Sequence, residues 1–146
     1  FIKVMHYNDD IYSKKVACSI LALLLQDLKG DMDGFVSIIC AELSASRGKS
    51  NLIKLYVPSL AILLRNPPAR TVFAEHGGIG YITKLLKLQG SSDAQLLYEL
   101  CFCLWTLSFS EDHYPDFQSN YTVPVLAEQH LLCLGARMQK TMGIKL

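Results

Sequence analysis

Three apolar runs in this chain superimpose without gaps: SILALLL (Ser19 to Leu25), SLAILLR (Ser59 to Arg65) and CFCLWTL (Cys101 to Leu107), at spacings of 40 and 42 residues. A period near forty residues constrains a fold more than any single motif, because each unit can bury its apolar face only against its neighbours. The second run is followed by NPPARTVFAEHGGIGYITKLLKL and the third by SEDHYPDFQSNYTVPVLAEQHLL. Both continuations read as a short helix opened by proline, a turn, and a further helix with 3.6-residue apolar periodicity. Each unit is then a long, a short and a medium helix.

Punctuation supports this division. Pro58 and Pro68 suit the first turn of a helix, where a missing N–H costs nothing. Gly77 and Gly78 suit the C-terminal cap of a helix over Ala69 to His76. Ser91, Ser92 and Asp93 offer N-caps for a helix beginning near Ala94, Asp33 does the same for GFVSIICAEL, and Ser44 to Ser50 reads as a loop. No sustained strand alternation is present, so the expected fold is all-α, a right-handed armadillo/HEAT-like helical-repeat solenoid of about three repeats. The whole chain, 1–146, reads as one partial repeat domain, with units at roughly 12–50, 51–92 and 93–134 and a divergent tail at 127–146.

The helix QLLYELCFCLWTLSF, Gln95 to Phe109, is apolar on nearly every side. On a helical wheel only Gln95, Glu99 and Thr106 gather into a polar strip, about 40° wide. A rung of a solenoid touches the unit before it, the unit after it and its own outer helices, which leaves one narrow edge for solvent. Bordering that edge, Tyr98, Phe102, Trp105 and Phe109 form an aromatic stripe at helical spacing. Two readings stand: packing against the next repeat, or anchoring a protein partner in a groove. The second makes Gln95, Tyr98, Glu99, Phe102, Trp105, Thr106 and Phe109 the candidate binding residues.

Chemistry finds less support. Cys101 and Cys103, two apart on a helix, point about 200° from each other and cannot share an ion. Glu111, Asp112, His113 and Asp116 cluster where a short helix starts, an ordinary place for acidic residues to meet the helix dipole. His76-Gly77-Gly78 and Gly78-x-Gly80 have no preceding strand and read as a turn, and no phosphate loop occurs. These features point to no enzyme, cofactor or metal. Formal charge is +1 with scattered Lys and Arg, which excludes a nucleic-acid footprint. Lys14 with Lys15, Arg65 with Arg70, and Lys84 with Lys87 read as solvated pairs or as contacts for an acidic partner. With 51% apolar residues the chain can build a core, yet its greasiest windows, Asn51 to Leu64 and Gln95 to Phe109, fall short of the ~20 residues a bilayer requires, so no direct membrane insertion is expected. Cys18, Cys40, Cys101, Cys103 and Cys133 lie in apolar runs, as buried reduced thiols of a cytosolic protein do. Asn120-Tyr121-Thr122 has the form of a glycosylation acceptor, and Phe1 opens the chain as a piece of something longer would.

LLRNPPARTVFAEHGGIGYITKLL, QLLYELCFCLWTLSF and TVPVLAE together resemble the N-terminal helical-repeat domain of the H subunit of the vacuolar proton-translocating ATPase. Gln95, Leu96, Tyr98, Trp105, Leu107 and Phe109 fill that family's helix pattern, KVACSILALLL is similar to its preceding repeat, and the likeness spans about Tyr12 to Leu126. Past Leu126 the sequence departs, with Gly135 and Gly143 where the family continues a basic helix. The resemblance implies a non-catalytic regulatory subunit at the cytoplasmic face of endomembranes. It would link the peripheral stalk, through the E and G subunits, to other parts of the ATPase sector and restrain hydrolysis when that sector detaches. The competing expectation is a generic armadillo adaptor like the importin-alpha or beta-catenin families, whose W-x-L-S-N resembles Trp105 to Ser108. Phe109 stands where they have the backbone-clamping Asn.

Overall fold

The computed structural model describes residues 10–27, 32–45, 50–89 and 93–142. Among them are eight α-helices, one 3-10 turn and no strand: α1 (Ile11–Asp27), α2 (Asp33–Ala45), α3 (Ser50–Leu63), α4 (Pro67–Glu75), α5 (Gly78–Gln89), α6 (Ala94–Leu107), the turn Glu111–His113, α7 (Tyr114–Ser119) and α8 (Thr122–Met142). The fold is the expected helical-repeat solenoid. Helices α1, α3 and α6 form one layer, α1 packed along α3 and α3 along α6, so Ile20, Leu60 and Phe102 lie on successive rungs. Helices α2, α5 and α8 form the second layer in the same order, with α4 and α7 closing the outer edge. One continuous core joins them, from Cys18 and Ala22 through Leu60, Leu63 and Ile82 to Leu100 and Val125.

The register of the repeat differs from the apolar alignment. Leu63 and Leu107 end α3 and α6, Pro67 and Glu111 open the short helical segments, and Gly78 and Thr122 open α5 and α8; each pair is 44 residues apart, not 42. The turn repeats too, since Gly77 and Tyr121, again 44 apart, have positive φ of 72° and 53°. An all-round apolar run slides against its neighbour with little penalty, whereas a helix stop or a left-handed residue fits at one offset only.

Local punctuation mostly holds. Pro67 and Pro68 occupy the first turn of α4 after Asn66. Asp93 caps α6, accepting hydrogen bonds from the N–H groups of Gln95 and Leu96. Pro58 departs from expectation: it lies inside α3, where its ring nitrogen cannot donate to the Lys54 carbonyl. The apolar residues around it, buried at Val57 and Leu60, secure the helix by packing instead. Asp33 is the first residue of α2 rather than its cap, and its carboxylate accepts from His76 Nε2 at 2.8 Å. Residues 46–49, 91 and 92, and Gly143 lie outside the described residues. Gly135 lies within α8, which runs on past Leu126 to Met142.

Two polar pins lock the second and third units. Thr83, buried in α5, donates to the Ile79 carbonyl at 2.9 Å and therefore accepts from Thr122 of α8, also at 2.9 Å. Lys54 of α3 meets the Asp93 carboxylate at 2.6 Å.

The turn makes the first prediction. A Cβ at Gly77 meets nothing within 4 Å, so Gly77→Ala tests backbone strain alone. It is expected to cost about 1 kcal/mol, the penalty of a left-handed conformation for an L-residue. Tyr121 already bears that strain and is exposed, so Tyr121→Gly should be neutral or stabilising by a few tenths of a kcal/mol. Urea midpoints of the two variants moving in the same direction would refute the equivalence of the turns.

Candidate functional site

The buried arc of α6 comprises Leu96, Leu100, Cys103, Leu104, Thr106 and Leu107. Thr106, expected on the solvent edge with Gln95 and Glu99, is instead 3% exposed. Its hydroxyl donates to the Phe102 carbonyl at 2.7 Å, and that bond within its own helix lets a threonine be buried without another partner. Gln95 is exposed and Glu99 half-buried, and the Gln95 amide donates to the Glu99 carboxylate at 2.8 Å.

The aromatic stripe is a surface feature. Tyr98, Trp105 and Phe109 are 64%, 58% and 60% exposed, and Phe102 is half-buried. Among the described residues no further repeat lies over these rings. They touch one another instead: Tyr98 and Phe102 stack with centroids 6.4 Å apart, Phe102 and Trp105 tilt at 5.7 Å, and Trp105 and Phe109 meet edge to face at 5.0 Å. A ladder of this kind keeps large rings in fixed positions at low entropic cost.

Cations from the preceding unit complete the ladder. Arg65 lies over Phe102 at 5.7 Å and Arg70 over Phe109 at 5.8 Å. Arg70 is held there because its Nε donates to the Leu64 carbonyl at 2.8 Å and its terminal nitrogen to the Arg65 carbonyl at 3.1 Å, capping the end of α3. A groove of about 170 Å³ runs between the two rungs, lined by Pro58, Ala61 and Ile62 from α3, by Arg65 from the turn after it, and by Gln95, Tyr98, Glu99 and Phe102 from α6. The 44-residue register explains the arrangement: Lys54, Pro58 and Ala61 of α3 and Arg65 just after it are the counterparts of Tyr98, Phe102, Trp105 and Phe109. One face of the stack thus carries matching positions on both rungs. Sequence reasoning treats Arg65 and Arg70 as a solvated pair or as contacts for an acidic partner and leaves Pro58 out of the site; the helix-end register is the signal that joins them.

Other candidates separate. His113 is buried, and its Nδ1 donates to the Leu107 carbonyl at 2.8 Å, so it caps α6. Among the described residues no group of three or more His, Cys, Asp or Glu is placed to hold a metal ion. Burial pushes the Cys18 thiol up to about 11 and the Cys40 thiol up to about 12, and raises Cys103 further, which suppresses their thiolates. Asn120 of the sequon turns its amide inward to the Asp116 carbonyl at 2.8 Å. Among the described residues no helix is long and apolar enough to cross a membrane.

Asp93 ties the site to pH. The hydrogen bond from Lys54, with those from the Leu96 and Gln95 N–H groups, holds its carboxyl below the usual range. A carboxyl so depressed stabilises the fold at pH above its unfolded value, and that contribution is lost as pH falls through the lower, folded value. Asp93→Asn should therefore flatten the acid limb of the melting temperature against pH and leave the slope above neutrality unchanged. An acid limb identical to that of the parent would refute the assignment.

A layered scaffold of paired helices repeating along the chain defines the class: a helical-repeat solenoid. The particular family follows from comparison, in which residues 1–129 match the V-ATPase H-subunit family. The chain belongs to that family. It is 28% identical over 96 residues to a protein of Oryza sativa subsp. japonica named as a probable H subunit of the V-type proton ATPase, an alignment covering 65% of this chain and 21% of that relative. The matched segment thus spans about a fifth of the relative's length. No solved structure matches the chain.

Proposed function

We propose that this chain is a non-catalytic, protein-binding part of the vacuolar proton-translocating ATPase, a stator component on the cytoplasmic side that connects the peripheral stalk to the ATPase sector and regulates ATP hydrolysis. The observation that carries the reading is the exposed ladder Tyr98, Phe102, Trp105 and Phe109 beneath Arg65 and Arg70, in a chain of this family. Large rings held in place by their neighbours lose little freedom when a partner covers them, which is how binding anchors are built. The peripheral-stalk E and G subunits are the proposed partners, with Gln95 and Glu99 supplying polar contacts at the groove rim.

The test is titration with the purified heterodimer of the E and G subunits. Saturable binding that weakens when Trp105 is truncated is expected. Failure to bind it, together with tight binding of an extended basic peptide, would transfer the chain to the armadillo adaptors.

A further inference from the structure

The groove between α3 and α6 has both of its walls within the chain, Pro58, Ala61 and Ile62 on one side and Tyr98, Glu99 and Phe102 on the other. Above it Arg65 is exposed and Arg70 half-buried, and among the described residues neither forms an ion pair. Glu99 lines the groove together with Arg65, yet its carboxylate accepts from the Gln95 amide. Each guanidinium lies over a ring instead. A guanidinium held by its flat face keeps its N–H groups in its own plane, free to grip a carboxylate two at a time. Arg70 uses two nitrogens on the Leu64 and Arg65 carbonyls, whereas the side chain of Arg65 has no acceptor among the described residues.

We propose that the partner enters this groove as a helix carrying two carboxylates seven residues apart, one for each guanidinium; the inference rests on the docking face proposed above and adds the chemistry that face selects. Phe102 and Phe109, the rings beneath the two arginines, are seven residues apart on one face, about 10 Å along the rung. A β-strand sets its same-face side chains about 6.8 or 13.6 Å apart and cannot serve both cations. A helix serves both from positions i and i+7, which differ by only about 20°. The small side chains of Pro58 and Ala61 on the α3 wall leave room for an apolar residue between those positions.

Trp105, the chain's only tryptophan, touches Phe102 at 5.7 Å, so its fluorescence reports on the ladder. Titration of the intact chain with three designed amphipathic peptides free of tryptophan, identical except for Glu, Gln or Lys at positions i and i+7, tests the proposal. The Glu peptide should bind at least about tenfold tighter than the Gln peptide, by a margin that shrinks as salt is added, and should gain helicity in circular dichroism. Arg65→Glu, with the chain's own helicity unchanged, should make the Lys peptide the tighter ligand. Equal binding of the Glu and Gln peptides, binding of the Glu peptide without gain of helix, or an order unmoved by Arg65→Glu would each overturn the inference. If no peptide binds while the heterodimer of the E and G subunits still does, the inference falls and the proposed function stands. Binding of the Glu peptide without binding of the heterodimer upholds the acidic helix and removes those subunits as its source.

Discussion

Replacing Phe73 by alanine is expected to lower the unfolding free energy by about 3–5 kcal/mol, the usual cost of emptying a fully buried aromatic site. Phe73 is 0% exposed on α4, and a Cβ at Gly78 would collide with its ring, so the phenyl fills the space that the Gly77-Gly78 turn leaves open. Against a total stability of about 5–15 kcal/mol for a domain of this kind, the loss is enough to shift much of the population to the unfolded state at physiological temperature. Two comparisons keep the result interpretable. Phe117, its counterpart 44 residues on, is half-buried and lines an open cleft beside α6, so Phe117→Ala should cost clearly less. Gly78→Ala should cost about 1–3 kcal/mol by overpacking against the ring, and combining it with Phe73→Ala should give less than the sum, since the cavity admits the new methyl. Urea unfolding monitored by circular dichroism reads all of these. Equal losses at Phe73 and Phe117 would contradict the view that one face is covered and its repeat is bare.

The same pair shows how far the sequence carries. Helix class, the layered stack and the rung helices were legible because apolar periodicity, proline-opened helices and the Gly77 turn are local signals that agree with one another. Register was not legible from apolar runs. CFCLWTL and SLAILLR match at 42 residues because almost any pairing of greasy residues scores well, and the shift to 44 becomes visible only when Tyr121 is seen in the conformation of Gly77. Pro58 misled for a related reason. Proline is a strong local signal, yet burial of Val57 and Leu60 on the same helix outweighs the loss of one backbone bond. Thr106 misled because hydropathy rates a hydroxyl as polar wherever it stands, while the Phe102 carbonyl accepts its proton. The aromatic stripe was legible as a stripe but not as a surface, since exposure depends on what lies beyond α6 and not on the residues themselves. The arginines above it could be placed only once Arg70 was seen capping α3, which aims its guanidinium at Phe109.

Truncating Trp105 should separate binding from folding. Its indole is 58% exposed and touches Phe102 and Phe109 at 5.7 and 5.0 Å, so Trp105→Ala gives up two ring contacts and creates no closed cavity. The expected stability loss is about 1 kcal/mol, in the range of exposed aromatic pairs and well short of a core truncation. Affinity for the heterodimer of the E and G subunits should fall far more, by at least about 2 kcal/mol, roughly thirtyfold, because a ring at the middle of the ladder is the one a partner would desolvate most completely. Trp105→Phe keeps an aromatic ring between Phe102 and Phe109 and should recover part of that affinity. Isothermal titration of the three proteins, paired with their urea midpoints, gives the decisive comparison. A loss of about 3 kcal/mol or more in stability with binding intact would make the indole a structural residue, and the docking face would then have to lie elsewhere on the stack.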